Sequence, residues 1–258
     1  MSTPARFFLA APAIAAFLSA GPADGTRGNA PTLATGEPIA INDNRIPAGT
    51  LRDGILTISL EARSGEWHPD RDSDPGLVVR AFGEGGKQPQ IPGPLIRVPR
   101  GTVVHATIRN TLTEGTLVVH GLSEPGVAGA GATVSIKAGA TGEVRFVARV
   151  AGTYYYWGTT TGAETVERPG VDSHLSGALV VDDGDRPAND RIFVLGLWRQ
   201  VPRPGGFIAK EDLLRFTING RAWPNTERLS YAVGDSVRFR ILNTTVAPHP
   251  MHLHGFYF

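Results

Sequence analysis

The chain has 258 residues, 41% of them hydrophobic, and a formal net charge of +1. That length holds two domains of ordinary size, and near neutrality gives no electrostatic case for nucleic acid or an acidic membrane as partner. The sequence has no cysteine, which excludes disulfides and any thiolate metal site within it; its 32 Gly, 20 Pro and many short Val/Ile/Thr-rich runs point to an all-β protein.

Residues 1–23 read as an export signal: Arg6, an apolar run from Phe7 to Leu18, then the small residues Ser19, Ala20 and Ala23. The run is too short to span a bilayer comfortably, so no membrane span is expected and the predicted location is periplasmic or extracellular. A single arginine there gives no support for a twin-arginine signal. Residues 24–50, rich in Pro, Gly, Ala, Asn and Thr without periodicity, are expected to be a flexible leader.

A first domain is expected over residues 51–183. Its predicted strands are Ile55–Leu60, Leu77–Phe82, Ile91–Val98, Gly101–Asn110, Leu117–Leu122, Gly142–Val150, Gly152–Trp157 and Leu175–Val181, with a polar loop from Arg63 to Gly76. So many short strands at such spacing make a sandwich. After a turn-rich linker, Asp182 to Asp190, a second domain is expected over residues 191–258, opening on Arg191–Trp198. An internal repeat ties the two together. Gly101-Thr102-Val103-Val104 with Asn110 recurs as Gly234-Asp235-Ser236-Val237 with Asn243 at the same spacing, and one inserted residue then places His120-Gly121 on His254-Gly255 and Val118 on His252. Phe216-Thr217-Ile218-Asn219-Gly220 takes the role of Ile91-Pro92-Gly93. The first copy continues through several more β-segments after His120-Gly121, so the second copy, which reaches Phe258 soon after its histidines, is expected to be truncated and the chain a fragment.

The densest functional signal is His249-Pro250-Met251-His252-Leu253-His254-Gly255, which holds three of the seven histidines. Imidazole is the commonest metal ligand near neutral pH. The alternation Ser236-Val237-Arg238-Phe239-Arg240-Ile241 predicts a strand leading in, so that His252 and His254, two apart, share a face while His249, before Pro250, sits on a bend. Three histidines alone would hold copper, zinc or nickel; divalent affinity peaks at copper.

H-P-M-H-L-H-G resembles the copper motif of multicopper oxidases, laccase-like proteins built from cupredoxin domains, and Pro92-Gly93-Pro94-Leu95-Ile96-Arg97-Val98 resembles an early strand of such domains. The resemblance covers about Leu51 to Phe258. It implies tandem cupredoxin-like Greek-key sandwiches, copper as cofactor, His249 as ligand of a type 1 copper, and His252 and His254 as ligands of a trinuclear cluster. It further implies one-electron oxidation of a small reducing substrate coupled to O2 reduction to water, and leaves a homo-oligomer open.

The chain departs from the family in two ways. The absent cysteine removes the type 1 thiolate. In the first domain, where the family carries H-x-H-G and H-S-H, this sequence reads Val118-Val119-His120-Gly121 and Trp157-Gly158-Thr159, which leaves His120 as that domain's candidate metal ligand. An alternative is therefore a non-enzymatic copper-binding or structural cupredoxin protein; a copper nitrite reductase would be expected to keep histidines in the first repeat. His68 and His105 have no partner spacing and read as structural or exposed, His174 in Asp172-Ser173-His174 reads as a surface-loop histidine rather than a metal ligand, and Asp70, Asp72 and Asp74 read as a solvated acidic turn rather than a calcium site. No phosphate-cradling glycine loop, G-x-S-x-G or H-E-x-x-H is present.

Overall fold

A computed structural model describes residues 36–124, 133–163, 168, 170–184, 189–200, 214–245, 247–252 and 254; the expected export signal lies outside them. These residues all belong to the unit Leu33–Phe258, and no α-helix occurs among them. In chain order the strands are β1 (Ala40–Ile41), β2 (Thr50–Arg52), β3 (Ile55–Trp67), β4 (Leu77–Glu84), β5 (Gln90–Ile91), β6 (Gly93–Pro99), β7 (Val103–Asn110) and β8 (Thr116–His120). They continue as β9 (Thr133–Lys137), β10 (Thr141–Val147), β11 (Gly152–Thr159), β12 (Ser176–Asp182), β13 (Asp190–Arg199), β14 (Leu214–Ile218), β15 (Arg221–Ala222) and β16 (Arg238–Asn243).

One sheet runs β1-β5-β4-β3-β7-β10 with β2 paired to β3, and a second runs β6-β12-β11-β8-β9. Alternation drives both: Leu56, Ile58, Leu60 and Ala62 of β3 and Val104, Ala106 and Ile108 of β7 point to one side and meet Leu117, Val119, Tyr156, Leu179 and Val181 of the other sheet. Each fully buried Leu, Ile or Val in this core stabilises the fold by roughly 1.5–3 kcal/mol.

The third sheet, β15-β14-β13-β16, repeats four strands of the first. The order β5-β4-β3-β7 has two antiparallel pairs and then a parallel one, and β15-β14-β13-β16 has the same. Asn110 and Asn243 end corresponding strands in the same way, each accepting at Oδ1 from the backbone N–H two residues on, Leu112 and Thr245. The strand order corrects one detail: the counterpart of Ile91-Pro92 is Trp223-Pro224, since each stands at the end of the short strand paired to the corresponding longer one, β5 on β4 and β15 on β14, and each is cis.

The third sheet lies over the outer face of the second. Ile192, Val194 and Leu242 pack on Leu95, Ala178 and Val180, which is why β12 is buried at every position and reads as a continuous apolar run. Beneath the apolar contact sits an ionic network. Asp190 Oδ1 and Oδ2 accept from Arg97 Nη1 at 2.8 Å and Arg240 Nε at 2.6 Å, and Arg97 also pairs with Asp182 at 2.7 Å.

The sequence expectations fail in three places. Residues from Pro38 on do not form a free leader: β1 pairs with β5, Pro38 bridges to Glu66 and Asn44 is buried. The expected loop from Arg63 begins as strand, because β3 runs on to the fully buried Trp67. The terminal histidines are not on a strand; the chain leaves β16 at Asn243.

Candidate metal centre

Beyond β16 the chain is turned by side-chain bonds. Asn243 Oδ1 accepts from Thr245 N at 3.0 Å and from its hydroxyl at 2.8 Å, and Asn243 Nδ2 donates to the Ala247 carbonyl at 2.8 Å. The same Thr245 hydroxyl lies 2.8 Å from His249 Nε2, and the His249 ring meets Phe216 edge-on at 5.9 Å. A hydrogen bond on one ring nitrogen is how proteins fix the tautomer and direction of a ligating histidine.

His252 and His254 are exposed, with Nε2 atoms 3.2 Å apart and ring centroids at 4.9 Å. Two imidazole nitrogens bound at about 2.0–2.1 Å to one ion stand about 3 Å apart, so the spacing of this pair suits two donors on one ion. An all-imidazole donor set suits copper, zinc and nickel, and the residues therefore fit a copper ion.

In the first domain, the pairing of β8 with β11 sets His120 opposite Trp157 and Val118 opposite Thr159. The four positions that the resemblance matches to family ligands thus lie together, and His120 is the one imidazole among them. His120 and Trp157 stack with centroids at 3.8 Å and planes within 3°. On Trp157 lies the guanidinium of Arg168, its carbon 4.8 Å from the ring centroid. Arg168 is buried and donates from Nη1 to the carbonyls of Gly158 and Asp172 at 2.8 Å and of Leu175 at 3.2 Å. Burial lowers its pKa to about 10, so it stays charged at neutral pH. Thr159 is buried beside Asp172, whose carboxylate accepts from the Thr160 amide at 2.7 Å.

Among the described residues no three potential ligands converge. The structure brings His252 and His254 together and leaves His249 and His120 in separate settings. His105 faces Glu143 at 3.5 Å, and His68 Nδ1 meets the Asp74 carbonyl at 2.8 Å. The acidic turn is an anchor: Asp70 and Asp72 accept from Arg215 and Arg221 at 3.0 and 2.6 Å, both from the third sheet.

His174 is the residue that sequence reasoning placed wrongly. It is no loop-surface histidine. It is 4% exposed, its Nδ1 is 2.8 Å from Ser173 Oγ, its Nε2 is 3.1 Å from Thr217 Oγ1 of β14, and its ring packs on Trp67 at 4.2 Å. Burial, with the Arg168 charge adding to it, lowers its pKa to about 3, so it joins the sheets as a neutral imidazole.

Comparison with known proteins gives matches in sequence and in fold. Residues 86–185 match one family model described as multicopper oxidase, and residues 199–258 match a second with the same description. A probable nitrite reductase-hydroxylamine oxidoreductase fusion protein of Kuenenia stuttgartiensis is 30% identical over 223 residues, covering 80% of this chain. The chain spans 25% of that relative's length. In fold it is similar to a blue copper oxidase from Nitrosomonas europaea, with a TM-score of 0.55 and 22% identity over 74% of this chain and 61% of the other. It is also similar to a copper nitrite reductase from the same organism, with a TM-score of 0.54 and 20% identity over 74% and 68%.

Proposed function

The chain belongs to the multicopper-oxidase family, and from that premise we propose that it works as the copper-holding part of an oxidoreductase. In this reading a small reducing substrate gives up electrons one at a time and O2 is reduced to water. The observation that carries the reading is the Nε2 pair of His252 and His254, 3.2 Å apart. Copper supplies the one-electron chemistry. The chain supplies donors and their orientation: His252 and His254 as a pair, His249 held by Thr245, and His120 as the first domain's contribution.

Two further observations support a larger working unit. The relative is far longer than this chain. The outer face of the third sheet, which corresponds through the repeat to the core face of the first, exposes Leu214, Phe216, Phe239 and Ile241; in this reading further strands or another subunit cover it, and a type 1 thiolate comes from there. The residues at the N-terminus support export to the periplasm or cell exterior.

A second reading, a copper-binding protein without turnover, is favoured by Trp157 and Thr159, two buried non-ligands at ligand positions. Loading the chain with Cu(II) together with the strands or subunit that cover the third sheet, reducing it anaerobically with a phenol and then admitting O2 separates the two. The oxidoreductase reading predicts that the Cu(II) signal disappears, returns, and consumes O2 over repeated cycles. Copper that binds but does not cycle supports the second reading.

A further inference from the structure

We propose that the end of the third sheet where β13 and β16 begin carries a binding site for a small oxyanion, a carboxylate or a phosphate, held by Arg191, Arg228 and Arg45. The repeat supplies the first observation. With Gly101 set on Gly234, Ala106 of β7 falls on Phe239 of β16. The parallel partner of Ala106 on β3 is Ile58, and that of Phe239 on β13 is Arg191. Ile58 lies in the core of the first sandwich, and the residue at its counterpart is an arginine that is only 6% exposed. A guanidinium buried where the matching sheet holds an isoleucine is an expensive way to fill space, because it loses its water and hydrocarbon would pack there at lower cost. The group is also held still. Its Nη1 donates to the Asp43 carbonyl at 3.3 Å, its Nη2 pairs with Glu227, and the Phe193 ring lies 5.8 Å from its carbon. Its Nε is buried and has no partner among the described residues.

The second observation is the cavity itself. Arg191 lines a space of about 460 Å³ with Arg45, Arg228, Ser230, Tyr231 and Ser236, a volume within the roughly 300–1,000 Å³ of small-molecule sites. Arg45, from the segment after β1, shares the Glu227 carboxylate with Arg191 and pairs with Asp43 at 2.9 Å. Arg228 is exposed and has no hydrogen bond or ion pair among the described residues. Two carboxylates also line the cavity. Asp190 has no solvent exposure and is taken up by Arg97 and Arg240, and the exposed Asp235 accepts from the Ala232 amide at 2.8 Å. The guanidinium left open to a ligand is therefore that of Arg228, with three hydroxyls in the same cavity as further donors. A planar fork of N–H groups matches the paired oxygens of a carboxylate or phosphate, and a lining so rich in donors suits a ligand rich in acceptors. This site is distinct from the terminal histidines. They follow the far end of β16, about 17 Å along the strand.

The test is calorimetric titration of the full, metal-free chain with inorganic phosphate and, separately, with citrate, at an ionic strength held constant with chloride. Saturable one-to-one binding of at least one of them is expected, with a melting temperature that rises as that anion is added. Which of the two binds tells a phosphate site from a carboxylate site. Arg228→Met removes a guanidinium that holds nothing else among the described residues. It is expected to leave the melting temperature without ligand unchanged and to weaken binding about tenfold, the scale of one hydrogen-bonded charge. Arg191→Ile installs the residue that the first sheet uses at this place and leaves Glu227 its bond to Arg45. It is expected to keep its fold by circular dichroism and to lose saturable binding. The His252→Ala/His254→Ala double variant is expected to bind the anion as the parent does. No saturable binding of either anion, or equal affinity in the parent, Arg228→Met and Arg191→Ile, would overturn the proposal. Binding lost in the double histidine variant and kept in the arginine variants would put the anion at the terminal histidines and overturn it as well.

Discussion

His174 shows how one side chain can bind two sheets and report on pH. Its ring is bracketed by the hydroxyls of Ser173 and Thr217 and faces Trp67. Its pKa is about 3 in the fold against 6.5 for an ordinary histidine. Between those values the unfolded chain binds the proton and the folded chain does not, so the stability is full above about pH 6.5 and is lost as pH falls toward 3, by up to about 1.4 kcal/mol per pH unit. Urea midpoints measured from pH 7 to pH 4 are expected to fall across this window, starting well above the range in which the Asp190 carboxyl, held low by Arg97 and Arg240 against the effect of its burial, contributes a loss of its own. His174→Gln is expected to flatten the upper part of the profile. Gly196 leaves room for this ring: a Cβ there would meet His174 Nε2 at 2.7 Å and Thr217 Oγ1 at 2.8 Å, so Gly196→Ala is expected to destabilise by about 1–3 kcal/mol in the same unfolding assay. None of this was legible in the sequence. The partners of His174 come from a neighbouring residue, from β3 and from β14, and no local period marks such a meeting. The terminal histidines were legible because their spacing is local and their donor chemistry is specific.

At the level of elements, the strands of the first sandwich could be read from alternation and turn residues, and the duplication from the glycine turn and the asparagine that ends β7 and β16. The continuation of β3 through Arg63-Ser64-Gly65-Glu66 to Trp67 could not, because its polar residues pair with a segment that composition marks as a leader. Glu66 N donates to the Glu37 carbonyl at 2.8 Å and Ile39 N to the Glu66 carbonyl at 2.8 Å. A Cβ on Gly65 would strike the Glu37 carbonyl at 2.5 Å. The strand β13 is held to the first sandwich through Asp190, whose carboxylate has no solvent exposure and meets two guanidinium groups. Asp190→Ala leaves Arg97 and Arg240 half-paired in a poorly solvated place, and a loss of about 3–5 kcal/mol in unfolding free energy is expected. A loss under 1 kcal/mol would mean that the apolar contact of Ile192, Val194 and Leu242 holds the third sheet unaided.

For the molecule as a whole, the described residues form one sandwich and, beside it, a sheet that packs one face on the sandwich and exposes apolar side chains on the other. Phe216 is 51% exposed, Phe239 36% and Ile241 38%, and a contiguous apolar surface of this kind promotes association. Replacing Phe239 and Ile241 together by Glu and Lys is expected to raise the solubility of the 258-residue chain and shift its elution in gel filtration toward monomer while leaving its melting temperature nearly unchanged. The same whole-molecule view explains why copper chemistry was easier to foresee than its site. The motif names the donors, but their assembly depends on long-range geometry, and the described residues bring only His252 and His254 together. The most direct measurement is therefore Cu(II) binding by the full chain against the His252→Ala/His254→Ala double variant, read by calorimetry and EPR. The account predicts imidazole-type nitrogen couplings without a thiolate charge-transfer band, and a fall in affinity of at least about a hundredfold in the double variant, as expected when both donors of a chelate are removed. Equal copper affinity and identical spectra in the two proteins would contradict it.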